Sequence, residues 1–296
     1  MKDLSQDYLD HIESGATTLC YCWLLTRTDG QVLGFTDHDQ TVSFDGQVFA
    51  PAGGFDGAEQ PTALGGQTDT GEVLGVLTSD AITEEDIDLG RYDGATVETF
   101  RVNWRDPSVR NKQRTDTIGE IVREDSQFRA ELRSPQEQLN TSSGRRYSHL
   151  CDARLGDNRC GVDLDQSQYK TDGTVVQVLS RHSVSISGSG SFDAGLFDHG
   201  LARWTGGKRV DLKDRIVSHT IESSDHILVF AEPVGDWVEA GDEVTVFAGC
   251  DRTFEECKSQ FSNAANFRGF PHIPGRDAML RFPHSSDSFA GRALVK

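Results

Sequence analysis

Short β-rich runs separated by glycine-containing turns follow one another along most of the chain. The clearest example is a pair of alternating runs, residues 41–44 and 47–50, joined by Asp45-Gly46, which is a typical sequence for a tight β-hairpin. Glycine accounts for 30 of the 296 residues and methionine for 2, a composition that favours hairpins over helical bundles. The sequence therefore predicts a mainly β protein.

A second block of strands is expected between residues 173 and 247, after a polar stretch without periodic apolar residues. One short amphipathic helix is expected at residues 3–14, where apolar side chains recur at helical spacing before Gly15. The strands of the second block are expected near residues 174–179, 182–187, 209–219, 226–230 and 243–247.

This pattern predicts a multi-domain chain of small β-barrel or sandwich domains, with a short N-terminal helix and an irregular cysteine-ligated domain. The expected boundaries are 1–145 for an N-terminal β-rich domain, 146–172 together with 249–277 for the cysteine-ligated domain, 173–248 for an inserted β-barrel-like domain and 278–296 for an extended C-terminal arm.

The charge balance limits the possible partners. The chain has 29 Lys and Arg against 47 Asp and Glu, a formal net charge of -18, so an electrostatic grip on nucleic acid or on an anionic membrane is a poor prediction for its main activity. No apolar run approaches the roughly 20 residues of a spanning helix, and the first residues lack a signal-peptide pattern. We expect a chain that folds in the cytosol and does not insert into a membrane.

Four cysteines form two local pairs on either side of the second strand block. Cys151 and Cys160 are separated by eight residues, and Cys250 and Cys257 by six, which matches neither the usual zinc spacing nor a ferredoxin run. Each pair lies in a polar context of Asp, Asn, Arg and Gly, where inert core thiols are uncommon. In a reducing compartment, metal or cluster ligation is favoured, while buried thiols and disulfides remain open.

Two other groups of residues have simpler interpretations. Cys20 and Cys22 alternate along a predicted strand and are expected to be buried core thiols on one face of a sheet. Asp37-His38-Asp39 is a compact acid-base cluster, but the chain contains no serine elbow, no H-E-x-x-H and no phosphate-binding loop. A solvated turn is therefore expected there.

Several longer stretches together resemble one family, and the two cysteine segments are the most specific of them. The stretches are residues 34–39, 44–46, 90–95, 102–104, 151–164 and 249–275. Over about residues 1 to 277 the chain resembles the hub proteins of gene transfer agents and of related long-tailed phages, and it is similar to the lambdoid minor tail protein L. Arg268 departs from the family pattern, in which a glycine is expected at that position.

The resemblance implies a structural role at a tail tip and no enzymatic activity. Hub proteins of this kind are expected in the tail baseplate of a virion or gene transfer agent particle, assembled in the bacterial cytoplasm. There we expect a homotrimer between the distal tail protein ring and the large central tail-tip protein, because a hub should match the rotational symmetry of the tail tube. DNA is expected to pass through the lumen without specific binding, and a lumen lined mostly by Asp and Glu would suit that passage.

The resemblance also implies a cofactor. Carried over by position, the ligands of an iron-sulfur cluster of the 4Fe-4S type would be Cys151, Cys160, Cys250 and Cys257, with zinc as the alternative metal. Two rival functions remain at this point: a zinc-stapled binding module, and a tail-associated hydrolase that uses His38 or the cysteine site.

Overall fold

The alternating runs predicted from the sequence are strands in the computed structural model of the protein. The structure describes residues 4–51, 56–57, 70–76, 82–124, 127–140, 144–188, 192–222 and 225–273. The chain divides into two compact units, Met1–Ser142 and Ser143–Lys296. The predicted C-terminal arm, residues 278–296, lies outside the described residues, and the finer domain boundaries stay a prediction.

The first unit is a sheet with two short helices and one 3-10 turn. Its elements are α1 (Gln6–Glu13), β1 (Leu19–Thr26), β2 (Val32–Thr36), β3 (Val42–Phe44), β4 (Gln47–Pro51), β5 (Asp56–Gly57), β6 (Thr70–Val76), α2 (Glu84–Asp88), β7 (Thr96–Asn103), β8 (Arg110–Glu124), β9 (Gln127–Arg133) and a 3-10 helix (Pro135–Asn140). The predicted N-terminal helix is confirmed as α1. The strand order among the described residues is β3-β4-β2-β1-β7-β8-β9-β6-β5.

Hairpin sequences set the local register of this sheet. At Asp45-Gly46 both residues adopt positive φ, 50° and 74°, which is the conformation that a two-residue hairpin turn requires. Strands β3 and β4 pair across it, with Phe44 opposite Gln47. The predicted hairpin is thus confirmed.

Strand β1 contributes side chains to a core on each of its faces. Trp23 packs on one face in a core that includes Tyr92, whereas Cys20 and Cys22 pack on the other face in a core that includes Phe49. Burial of a large apolar side chain stabilises a fold by about 1.5 to 3 kcal/mol, so this central strand anchors the sheet. The predicted burial of the two thiols is confirmed, because Cys20 is 5% and Cys22 0% exposed.

The second unit contains a closed barrel of six strands and a cysteine-containing region of irregular chain. Its elements are β10 (Lys170–Ser180), β11 (Ser183–Gly188), β12 (Leu201–Trp204), β13 (Lys213–Glu222), β14 (Asp225–Phe230), β15 (Glu243–Phe247), α3 (Phe254–Ser259) and a 3-10 helix (Ala264–Asn266). The barrel order is β10-β11-β14-β13-β12-β15. No helix among the described residues of the chain is long and apolar enough to span a membrane.

Barrel closure joins the first strand of the barrel to the last. Strands β10 and β15 run antiparallel, with Lys170 opposite Phe247 and Thr174 opposite Glu243. The chain therefore enters and leaves the barrel at the same place. The segment before β10 and the segment after β15 therefore meet the barrel at neighbouring positions.

The structure differs from the predicted strands around residue 209. Strand β12 has only four residues and no clear periodic signal, and the strand predicted at 209–219 begins at Lys213. The intervening residues form a tight loop because Asp211 takes a positive φ of 67° and the Trp204 N–H donates to the Leu212 carbonyl at 3.0 Å. Arg209 is buried below this loop, where it donates to both carboxylate oxygens of Asp214.

A pair of buried histidines lies inside the barrel. Nε2 of His219 is 2.8 Å from Nδ1 of His226, and the remaining ring nitrogen of His219 has no hydrogen-bond partner among the described residues. Burial, together with the neighbouring His226, lowers the pKa of His219 to about 4. The folded barrel therefore holds a neutral ring that an unfolded chain would protonate near pH 6.5.

This difference in proton affinity predicts acid sensitivity. Because the His219 pKa is lower in the folded state, the free energy of unfolding should fall as the pH drops from about 6.5 towards 4, by about 1 to 2 kcal/mol. Denaturant titrations at pH 7 and pH 4.5 measure it. His219→Phe should flatten the pH dependence, and His182→Gln, at an exposed position of the same barrel, should leave it as in the parent protein.

Candidate metal centre

The four predicted ligands lie in the second unit and line one cavity. Cys151 and Cys160 belong to the irregular chain before β10, Cys250 follows β15, and Cys257 lies in helix α3. All four line a cavity of about 760 Å³, and all four are free thiols. Two cysteine pairs that are far apart in sequence are thus brought together.

The pairing of β10 with β15 explains this convergence. Cys160 precedes Lys170 by ten residues and Cys250 follows Phe247 by three, and these two strand residues are directly opposite each other. Further contacts join the cysteine segments, since the Cys151 N–H donates to the Arg252 carbonyl at 2.8 Å. The cavity is therefore built by barrel closure together with main-chain bonds.

Nitrogen donors point at three of the sulfurs. The backbone N–H of Arg252 donates to Cys250 Sγ at 3.3 Å, and that of Arg268 donates to Cys151 Sγ at 3.4 Å. The side-chain amide of Asn263 lies 3.6 Å from Cys160 Sγ. Hydrogen bonds to ligand sulfurs are a regular feature of iron-sulfur sites and help to set their properties.

Arg268 departs from the family pattern, but an arginine at this position can still donate a hydrogen bond to a cysteine sulfur. Its contribution to Cys151 comes from the backbone N–H, its side chain is exposed, and it is not among the described non-glycine residues with positive φ. The position accordingly does not demand glycine. The neighbouring Gly269 does, because an added Cβ would lie 2.8 Å from the His149 carbonyl oxygen.

The thiols of the second pair are held in their neutral form. Burial, together with the carboxylates of Glu256 and Asp251, raises the pKa of Cys250 to about 11. Burial and the thiols of Cys151 and Cys160 also raise the pKa of Cys257. A metal that coordinates these sulfurs has to displace their protons, so binding would release protons and weaken at low pH.

The donor set fits a group that is held by four thiolates. The structure places four thiols in the lining of one cavity and directs nitrogen donors to three of them. No three His, Cys, Asp or Glu side chains of the described residues stand in the arrangement of ligands around a single metal ion. The four cysteines therefore share the lining of one cavity and do not close on a single point.

The acid-base cluster of the first unit forms a turn with local bonds. The Asp37 carboxylate accepts the Tyr21 N–H at 2.7 Å, and Nδ1 of His38 accepts the Gln40 N–H at 3.0 Å. The His38 ring packs against Trp104. These contacts support the expected turn, with Asp37 engaged by strand β1 and His38 by the backbone of the turn itself.

Comparisons with known proteins identify the family. Residues 5–163 match the family described as baseplate hub protein, N-terminal attachment domain. This chain belongs to the baseplate hub protein family. Residues 195–277 match a second model, phage conserved hypothetical protein BR0599, so each of the two matches contains one cysteine pair of this hub protein. A comparison with curated protein sequences finds no significant match.

A solved structure supports the same assignment over the whole hub protein. It is a chain of the "Virion of native gene transfer agent (GTA) particle", with 35% sequence identity and a TM-score of 0.90. The alignment covers 98% of this chain and 100% of that chain. The resemblance expected from the sequence is confirmed.

Asn263 is a residue of the site that the spacing of the cysteines does not reveal. Its side-chain amide donates to the Cys160 carbonyl at 2.7 Å, its N–H donates to the Cys257 carbonyl at 2.9 Å, and its own carbonyl accepts the Cys257 thiol at 3.4 Å. It therefore links one cysteine of each pair in the hub protein. The signal in the sequence is weak, an asparagine six residues after Cys257.

Replacing Asn263 should loosen the cavity. Asn263→Ala removes the bond to the Cys160 carbonyl and should destabilise the region by about 1 to 2 kcal/mol. The purified hub protein, treated with a metal chelator, should then alkylate faster with iodoacetamide at Cys160 and Cys257. Asn158→Ala, at an exposed asparagine of the same segment, is the matched control. Equal alkylation rates in the two variants would show that Asn263 does not hold the site together.

Proposed function

We propose that this chain is a structural hub subunit of the tail baseplate in a virion or gene transfer agent particle. Membership of the baseplate hub family and the match along the whole chain to a protein of a gene transfer agent particle support this role. In this role the chain would hold other tail proteins in place. The observation that carries the proposal is this coverage, since 98% of the chain aligns.

The expected neighbours follow from the position of a hub. The chain would form a homotrimer between the distal tail protein ring and the large central tail-tip protein. Closed rotational symmetry suits a subunit that surrounds a passage. A net charge of -18 suits a passage for DNA, because Asp and Glu repel phosphates and leave the DNA free to move.

Electron microscopy of the assembled particle tests this arrangement. We expect three copies of the chain in a ring at the tail tip, in contact with the distal tail ring and the central tip protein. The side chains that face the lumen should be mostly Asp and Glu. A different copy number would contradict the trimer, and a lumen lined by Arg and Lys would contradict the free passage of DNA.

The cysteine site is proposed to hold an iron-sulfur cluster of the 4Fe-4S type. Cys151, Cys160, Cys250 and Cys257 would be its ligands, a set that lines one cavity. A zinc ion needs its sulfurs about 2.3 Å from one centre, whereas a cluster places iron and sulfide atoms between its ligands. We propose the cluster because the four cysteine positions match those that the family resemblance implies and because their thiols line one cavity.

The role of this group is proposed to be structural. The first and last strands of the barrel, β10 and β15, already pair with each other. The metal group would therefore not be what joins the two ends of the barrel. The cysteine segments have little regular structure besides the six-residue helix α3 and a three-residue 3-10 turn. Four bonds from their thiolates would therefore fix the segments themselves rather than the barrel.

Metal analysis tests the cofactor. Protein purified without oxygen should be brown and contain about four iron and four acid-labile sulfide atoms per chain. Cys151→Ser should lose most of the iron, whereas Cys20→Ala, which removes a buried thiol of the first unit, should retain it. One zinc per chain without sulfide in material never exposed to oxygen would contradict the cluster and support the zinc-stapled alternative.

Hydrogen exchange on the same two variants tests the structural role. In Cys151→Ser the amides of residues 250–273 should exchange at least about tenfold faster, because they lose the bonds that order them. Strands β10 to β15 and the first unit should keep their protection. Unchanged exchange at residues 250–273 in an iron-free variant would show that the cluster does not order this region.

A further inference from the structure

Strands β12 and β13 carry three basic side chains on the outer face of the barrel. Arg203 is directly opposite Lys213, and Arg215 follows two residues later on the same strand. All three are exposed, while the alternate residues Ala202 and Asp214 are buried. Like charges directly opposite each other destabilise a strand pair. This face therefore carries a repulsion that a bound anion would relieve.

The carboxylates of the barrel near this face are engaged by other side chains. Asp172, in the same cross-strand row, accepts the hydroxyl of Thr245 at 2.5 Å. The carboxylate of Asp214 is buried, where it accepts bonds from Arg209 and from the Trp204 ring N–H, and so it cannot neutralise the outer face. Lys213 and Arg215 form no ion pair with any other residue in the described part of the chain.

Arg203 has one weak partner. Its guanidinium lies 3.6 Å from the carboxylate of Asp211, and both side chains are at least half exposed. A solvent-exposed ion pair of this kind contributes little to stability. The three cations are thus nearly uncompensated, although the chain contains 47 acidic and 29 basic residues.

The same three side chains line the cavity of the cysteines, together with Arg154 and Arg252. Among the described lining residues the one carboxylate is Asp165, and it already forms an ion pair with Lys170 at 2.9 Å. The positive charge is therefore concentrated on the walls of this cavity.

Other arginines close to the cysteines are paired. Arg145 and Arg159 both bind the carboxylate of Asp152. Arg154 and Arg252, which line the cavity, form no ion pair with another described residue. The difference between these two sets indicates that the cations of the cavity are left available for a ligand.

Apolar residues adjoin the basic ones on the same two strands. Leu201 is directly opposite Arg215 and is 37% exposed, and Val217, two residues beyond Arg215, is 45% exposed. A DNA backbone offers nothing for such side chains to contact, whereas a polypeptide segment with acidic and apolar residues matches both features. We call Leu201, Arg203, Lys213, Arg215 and Val217 the basic ribbon.

We propose that the basic ribbon and the adjoining cavity wall bind an acidic polypeptide segment of a neighbouring protein in the particle. The carboxylates of that segment pair with Arg203, Lys213 and Arg215, and its apolar side chains cover Leu201 and Val217. The proposal does not depend on which metal, if any, the four cysteines hold. It adds a docking surface to the proposed hub.

A short acidic peptide is the probe. A fluorescein-labelled peptide of sequence Glu-Glu-Leu-Glu-Glu-Leu should raise its anisotropy when full-length protein is added in 50 mM salt, and the binding should weaken about tenfold in 300 mM salt. Arg215→Gln should weaken it at least about threefold, and the double variant with Lys213→Gln at least about tenfold. Arg181→Gln, at a barrel arginine paired with Asp236, should bind as the parent protein does.

Four further measurements complete the test. A peptide with glutamine in place of every glutamate should not bind, and circular dichroism should show that all variants are folded. The proposal is overturned if the Arg215 and Arg181 variants bind equally, or if a DNA oligonucleotide of equal charge displaces the acidic peptide. It is also overturned if Lys213→Gln lowers the iron content without weakening peptide binding, since the cations would then balance the charge of the metal group.

Discussion

The antiparallel pairing of β10 with β15 is the constraint on which the second unit depends. It closes the barrel, and it places Lys170 beside Phe247. The cysteine segments extend from these two neighbouring positions, so their thiols meet without any long connecting structure. The geometry of the site is thus a consequence of how the barrel closes, and the metal group that we propose would order the attached segments and not the barrel.

The thiols of the cavity and the buried thiols of the first unit differ in their surroundings. Cys20 and Cys22 pack as small apolar residues within a core, where no change of protonation is needed. Cys250 and Cys257 are also kept neutral by burial and by nearby acidic or sulfur groups, but they line a cavity beside nitrogen donors. A soft metal group forms strong bonds to thiolates, and these bonds would offset the free-energy cost of deprotonating the two thiols.

The electrostatics of the protein are uneven despite its net charge of -18. Acidic residues next to the cysteines neutralise Arg145 and Arg159, and Asp214 neutralises Arg209 inside the barrel. The cations of the basic ribbon are not neutralised in this way. An acidic particle component with a nearly uncompensated basic surface can select among partners, since charge complementarity determines specificity more strongly than it determines affinity.

The sequence by itself determined the mainly β class, the helix α1, the Asp45-Gly46 hairpin and the four cysteines as a set, because each depends on local periodicity, turn chemistry or residue type. It did not reveal β12 or the start of β13, since four residues with a buried Trp204 give no periodic signal and residue types alone do not show that Asp211 turns the chain with a positive φ. Only the tertiary structure decided that Asn263 joins Cys160 to Cys257 and that Arg203, Lys213 and Arg215 share one face. Those relations come from strand register and chain crossing, which bring together residues that are distant in sequence.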